Sequence, residues 1–168
     1  SLITAFASPF EAFDLLLSNA MQGPAGSARF VALGLSAFDR VDALSYAGNM
    51  ITNTFEGGPD SRTILQQIGT GDPVVPNLTA HVHARALGLK LMSPNKRDVF
   101  GLESSPSPIT GSALVEYDFF DPNTGEVPKD VNVHEATRRL PASIEQLGRF
   151  FRPDGIIENT CDGACDPE

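Results

Sequence analysis

An aspartate and a histidine, placed after two successive apolar strands, are the residues of this sequence best suited to do chemistry. Asp72 lies in a Gly-rich turn, Gly69-Thr70-Gly71-Asp72-Pro73-Val74-Val75-Pro76, fed by the β-favouring run Thr63-Ile64-Leu65-Gln66-Gln67-Ile68. An acid at the carboxyl end of a strand is where open α/β sheets gather functional groups. His134 follows the second firm strand, expected at 113–120, in a loop ahead of another helix. A carboxylate that accepts the imidazole Nδ1–H fixes the tautomer. The other ring nitrogen can then take a proton from a nucleophile and return it to a leaving alcohol. Acid and then His is the chain order of the last two members of a Ser…Asp…His triad. No Gly-x-Ser-x-Gly elbow accompanies them, because Gly34-Leu35-Ser36-Ala37-Phe38 lacks the second Gly and follows no strand. The residues therefore read as half of an active site.

Other reactive residues give weaker patterns. His81 and His83 stand two apart on a predicted helix, on nearly opposite sides, so they do not share a metal and read as structural or solvated. Asp118, Asp121, Asn123 and Glu126 surround a turn and offer oxygen ligands for calcium, but Asp-Pro-Asn-Thr-Gly is more often only a turn and fails the EF-hand spacing. Ser1 invites the idea of an N-terminal nucleophile with its own amine as base, although nothing after it resembles the β-sandwich such enzymes use. Asn77-Leu78-Thr79 is a glycosylation sequon on paper. No cofactor is called for.

The elements that must position Asp72 and His134 follow from periodicity and punctuation. Ser8-Pro9-Phe10-Glu11 opens a helix with Phe10, Phe13, Leu17 and Met21 on one stripe, ended by Gly23-Pro24-Ala25-Gly26. A helical or irregular segment over 27–46 places Phe30, Leu33, Ala37 and Val41 on one face. Together, residues 9–46 read as core-covering helices or as a lid. After the turn Gly57-Gly58-Pro59-Asp60 come a strand over 64–69, the acid turn, and a helix over 77–88. Asn77 caps that helix, Leu78, Val82 and Ala86 face the core, and Gly88 stops it. A short strand follows over 90–92, and 93–112 reads as a long surface loop. Pro141 opens a last helix that carries Ile144, Leu147, Phe150 and Phe151 toward the sheet, and Pro153-Asp154-Gly155 ends it. Strands alternating with helices imply an α/β fold with parallel pairing. Two or three strands cannot make such a sheet alone, so the rest must come from another chain or a missing segment.

Composition narrows the function. The 168 residues fit one domain, and 41% hydrophobic content suffices for a core. A net charge of −9 argues against nucleic acid, which needs clustered Lys and Arg. No apolar run approaches the roughly 20 residues of a transmembrane segment. The two cysteines, Cys161 and Cys165, sit four apart in the acidic end CDGACDPE. They read as a disulfide, and hence as a protein of an oxidising compartment, against the alternative of free thiols in a frayed tail.

The same residues carry a resemblance. Asp42-Ala43-Leu44-Ser45-Tyr46-Ala47 is similar to the D-P-x-x-Y-A stretch of secreted lipases of the α/β-hydrolase superfamily. The turn 69–76 resembles their G-x-x-D-x-V-V-P acid turn, and Val133-His134-Glu135 sits where they place the histidine. The resemblance covers about 42–151 and is to bacterial extracellular lipases or esterases of the virulence-factor type. It implies the C-terminal part of an α/β-hydrolase parallel sheet with flanking helices. In that reading 1–50 is a helical segment, 51–158 the hydrolase part and 159–168 a Cys-containing tail. It further implies a secreted protein, Asp72 and His134 in catalytic roles, a lipid or other ester as substrate, and a second polypeptide or upstream segment carrying Gly-x-Ser-x-Gly. The competing reading is a non-catalytic α/β interaction or binding module without the nucleophile.

Overall fold

A computed structural model describes residues 11–59, 61–129 and 131–166. Its centre is a four-stranded sheet made of β1 (Leu65–Gly69), β2 (Lys90–Ser93), β3 (Ser104–Pro106) and β4 (Ala113–Tyr117), in the order β1-β4-β2-β3. Every pairing is parallel. The chain is thus α/β, with helices on both faces of a parallel sheet, the arrangement that buries such sheets.

The helices are α1 (Glu11–Ala20), α2 (Pro24–Phe38), α3 (Ala43–Tyr46), α4 (Asn77–Leu87), α5 (Val133–Arg139) and α6 (Pro141–Phe150). On one face α4 packs Ala84 and Leu87 against Leu91 and Leu114, with Ile64 and Ile68 beside them. On the other, Ala113, Val115 and Tyr117 of β4 meet Val133 of α5 and a set that includes Leu65, Leu140 and Phe150. Strand residues alternate between faces. Leu65, Gln67 and Gly69 therefore look toward α5 and α6, whereas Gln66 and Ile68 look toward α4.

Several expectations are corrected. The segment 93–112 is not only a surface loop, because it contributes β3 and buries Val99 and Ile109. The second firm strand ends at Tyr117, short of Phe120. Pro24 does not end the first helix but takes the opening position of α2, where a missing N–H costs nothing. Leu78 and Ala86 are exposed, and α4 buries Ala80, Ala84 and Leu87 instead. Phe30, Leu33 and Val41 are exposed, as are Ile144, Leu147 and Phe151. The buried residues of α6 are Ser143 and Gln146. Gln146 accepts from Gln67 Nε2 at 2.9 Å and donates to the Glu158 carbonyl at 2.7 Å, so its burial is matched by hydrogen bonds.

The C-terminal end is packed. Cys161 and Cys165 form a disulfide, and Cys165 is buried. The Cys165 carbonyl accepts from Asp118 N at 2.8 Å, and Ile157 bridges to Ile109. Among the described residues no helix is long and apolar enough to cross a membrane. Ser1, Ser8, Pro9 and Phe10 lie outside the described residues.

Candidate active site

The acid turn is built so that one carboxylate oxygen is spent on the turn itself and the other is left for a partner from outside it. Asp72 Oδ1 accepts from Val74 N at 2.7 Å and from Val75 N at 3.0 Å, folding the turn around its own side chain. Asn77, expected as a helix cap, does something else. Its Oδ1 accepts from Gly71 N at 2.8 Å and its Nδ2 donates to the Gly69 carbonyl at 2.8 Å. Pro76 occupies the capping position of α4 in its place. Asn77 thereby ties the end of β1 to the start of α4, and the sequon nitrogen is already engaged. Gly71 adopts φ 82°, a left-handed conformation that favours glycine, with Val127 packed close above it.

Thr70 is buried next to this turn. Its hydroxyl pairs with Asp118 Oδ1 and accepts from Phe119 N at 3.1 Å. The ends of β1 and β4 are thus locked together at the carboxyl edge of the sheet.

His134 does not sit in a loop, as expected, but in the first turn of α5. Asn132 caps that helix by accepting from Glu135 N at 3.3 Å. Val133 and Thr137 on either side of the histidine are buried, and they press on Gly69 of β1. A Cβ at Gly69 would lie 2.5 Å from Val133 Cγ1 and closer still to Thr137 Oγ1. The missing side chain at Gly69 is therefore what lets α5 settle over the strand and bring His134 across the acid turn.

The result is a hydrogen bond of 2.8 Å between His134 Nδ1 and Asp72 Oδ2. The aspartate side chain is 11% exposed and the histidine 32%. A carboxylate only accepts, so Nδ1 carries the proton, which in the neutral tautomer leaves the lone pair at Nε2. Nε2 has no partner among the described residues. Beside the pair lies a recess of about 220 Å³, lined by Gln67, Gly69, Val75, Thr137 and Arg138 among others. No serine or cysteine lines it among the described residues. The geometry can accept a proton at Nε2 and hold the resulting imidazolium against a fixed carboxylate.

The other candidates part ways. His81 bonds Glu116 Oε1 at 2.7 Å, and Arg97 reaches the same carboxylate at 3.2 Å, so this histidine is structural rather than solvated. His83 is not part of that network. Asp121 accepts from Asn123 N at 2.7 Å and from Thr124 N at 3.4 Å, an ordinary turn, and the first of these bonds holds its carboxyl below the usual range. Asp118 is engaged by Thr70. Among the described residues no group of three His, Cys, Asp or Glu side chains is arranged to hold a metal.

Sequence reasoning missed Gly69 as a packing window and Asn77 as a clamp. The Gly69…Asn77 spacing carries no signal of either role, since both depend on elements that meet only in the fold. Comparison with family models, with curated proteins and with solved structures returns no match. The functional reading therefore rests on the site.

Proposed function

We propose that this chain supplies the Asp–His half of a serine ester hydrolase, in an α/β-hydrolase arrangement and in a secreted protein. One observation carries the reading: the Asp72–His134 pair stands at the carboxyl end of β1, with α5 bringing the histidine over that strand end and both residues lining a recess. This is where α/β sheets place their ligands. The disulfide is compatible with an oxidising compartment.

The chemistry is acyl transfer to water. His134 Nε2 removes the proton of a serine hydroxyl as the oxygen attacks the ester carbonyl. It then returns that proton to the departing alcohol, leaving an acyl-serine. Water enters by the same route in reverse, with His134 again as base. Asp72 holds the ring and balances the imidazolium in each half-reaction. The serine, with the oxyanion donors, belongs to a second polypeptide or to a segment joined to this one.

The test is to isolate the protein from its source with an antibody to this chain, label it with a fluorophosphonate, and sequence the labelled peptide. A labelled serine in Gly-x-Ser-x-Gly, lost when Asp72 is replaced by Asn, supports the proposal. Isolated protein without label and without esterase turnover refutes it and leaves the non-catalytic module.

A further inference from the structure

We infer that the outer edge of β1 is a docking surface for one more parallel strand, supplied by the polypeptide segment that carries the nucleophile. The identity of that occupant rests on the esterase reading above; the docking surface itself does not.

The two ends of the sheet are built differently. β3, at one end, is three residues long and finishes in Pro106, the kind of short, proline-bearing strand that discourages pairing. β1, at the other end, has five residues, none of them proline or charged, and pairs only with β4 among the described residues. An edge left open in this way is a template for another strand.

The hydrogen-bond register shows which groups are available. The Ile64 carbonyl accepts from Ala113 N, and Thr70 N donates to the Tyr117 carbonyl. In a parallel strand the backbone groups alternate in direction. Residues 64, 66, 68 and 70 therefore turn toward β4, and Leu65 and Gln67 turn their N–H and C=O outward. The Gly69 carbonyl is taken by Asn77, which marks where pairing along this edge must stop.

Both faces beside the edge are hollow. The recess at His134 is bounded by three consecutive residues of β1, Gln67, Ile68 and Gly69, and by none of β4. A second recess, of about 410 Å³ on the α4 face, is bounded by Gln66, Gln67 and Ile68, again with none of β4, and by Leu44 and Val75 at its rim. Successive side chains of an added strand would enter the two recesses in turn. Three of its lining residues also hold buried polar atoms without partners, namely Gln66 Oε1, Thr79 Oγ1 and His83 Nε2. Such atoms are rare in finished folds; of the four among the described residues, three belong to the wall of this recess and the fourth, Asp166 Oδ1, lies elsewhere.

Direction selects the occupant. Purely parallel sheets are over-represented among sheets covered on both faces, and every pairing of this one is already parallel, which favours a parallel addition. A parallel strand on β1 ends at the side where Asp72 and His134 stand, so the chain leaving it is delivered next to Nε2. A second copy related by a two-fold axis would pair antiparallel and bring the wrong end of its own sheet to the site.

Amide-resolved hydrogen exchange on the protein isolated from its source, and on the 168-residue chain alone, tests this. In the isolated protein Leu65 and Gln67 should be as slow to exchange as Gln66 and Ile68. In the chain alone Leu65 and Gln67 should exchange at least tenfold faster, while Gln66 and Ile68 stay slow. Fast exchange of Leu65 and Gln67 in fluorophosphonate-labelled protein would overturn the docking edge and leave the dyad reading standing. Should the lone chain aggregate, this comparison of the four amides within the labelled protein decides by itself. Slow exchange that appears in the chain alone and grows with its concentration would identify a second copy and overturn the assigned occupant. So would slow exchange in protein that takes no label, and that result would sink the esterase reading as well.

Discussion

Replacing Gly69 with alanine tests how the histidine is held over the acid. The added methyl would stand 2.5 Å from Val133 Cγ1, where ordinary contacts begin near 3.4 Å. Thr137 Oγ1 is nearer still, and both residues are buried in α5, with His134 between them. Neither neighbour is the loose end of a long side chain, so the helix must retreat by about 1 Å to restore contact distance. Overpacking of this kind costs about 1–3 kcal/mol. For a chain of this size that corresponds to a loss of roughly 2–12 °C in Tm. The same retreat would stretch the 2.8 Å His134–Asp72 bond past the range of a useful hydrogen bond. A misplacement of about 1 Å can lower kcat roughly 10²-fold. The chain contains no tryptophan, so urea unfolding is followed by far-UV circular dichroism, alongside esterase turnover of the isolated protein. Gly148→Ala is the control, because a Cβ there meets nothing within 4 Å and lies inside α6. It should stabilise by about 0.5–1 kcal/mol. A Gly69→Ala protein within about 0.5 kcal/mol of the parent, with turnover intact, would refute the idea that this glycine seats α5.

Three further outcomes follow, the first two from the proposed esterase activity and the third from burial alone. Asp72→Asn should lower kcat roughly 10⁴-fold with little change in Tm, since the amide can present the wrong group to Nδ1; turnover near the parent's would remove Asp72 from the mechanism. Asn77→Ala strands Gly71 N and the Gly69 carbonyl, so it should cost about 1–3 kcal/mol and reduce kcat more than it raises KM. An effect on KM alone would assign Asn77 to substrate binding instead. Burial pushes the Tyr117 phenol up to about 12, from 10.0. The unfolded chain therefore loses this proton first, and stability present below pH 10.0 should drain away as the pH rises to about 12. The loss should reach about 3 kcal/mol. An unfolding free energy that stays level across this interval would contradict the burial of that hydroxyl.

What the sequence made legible is what local pattern encodes. β1 lies largely in the β-favouring run 63–68, β4 in a run of branched and aromatic residues, and the Gly-x-Gly-Asp-Pro turn announces itself by composition. β3 was illegible, because Ser104-Ser105-Pro106 has no strand pattern and becomes a strand only by lying beside β2. Helix faces were misjudged for a related reason. Of the apolar stripe expected to face the sheet along α6 and its C-cap, Phe150 packs against the core, whereas Ile144, Leu147 and Phe151 point outward. The sheet beneath offers Gln67 and Tyr117, so the residue turned inward is Gln146, which accepts from both. Periodicity finds a stripe but does not know what waits opposite it. On α4 small residues, Ala80 and Ala84, face the sheet and permit close approach, which a rule based on large apolar residues overlooks. Asp72 and His134 were selectable by type and order. Their contact required the glycine window and the asparagine clamp, neither of which leaves a mark in one sequence.

The turn also predicts that charge alone will not serve at position 72. Asp72 uses one oxygen to accept two backbone N–H groups and the other to meet His134, so its reach is fixed at both ends. Glutamate keeps the charge but adds a methylene. With Oε2 on the histidine, the longer chain lifts Oε1 away from Val74 N and Val75 N. With the turn bonds kept, the free oxygen overshoots Nδ1. Each abandoned bond to a charged acceptor is worth about 1.5–3 kcal/mol, and the site cannot keep all three. Asp72→Glu should therefore lose nearly as much kcat as Asp72→Asn, despite its conserved charge. Measured side by side on fluorophosphonate-reactive protein, the two variants separate positioning from electrostatics. A glutamate variant that kept more than about a tenth of the parent's turnover would show that any nearby carboxylate suffices, and that the folded turn is not what aims the acid.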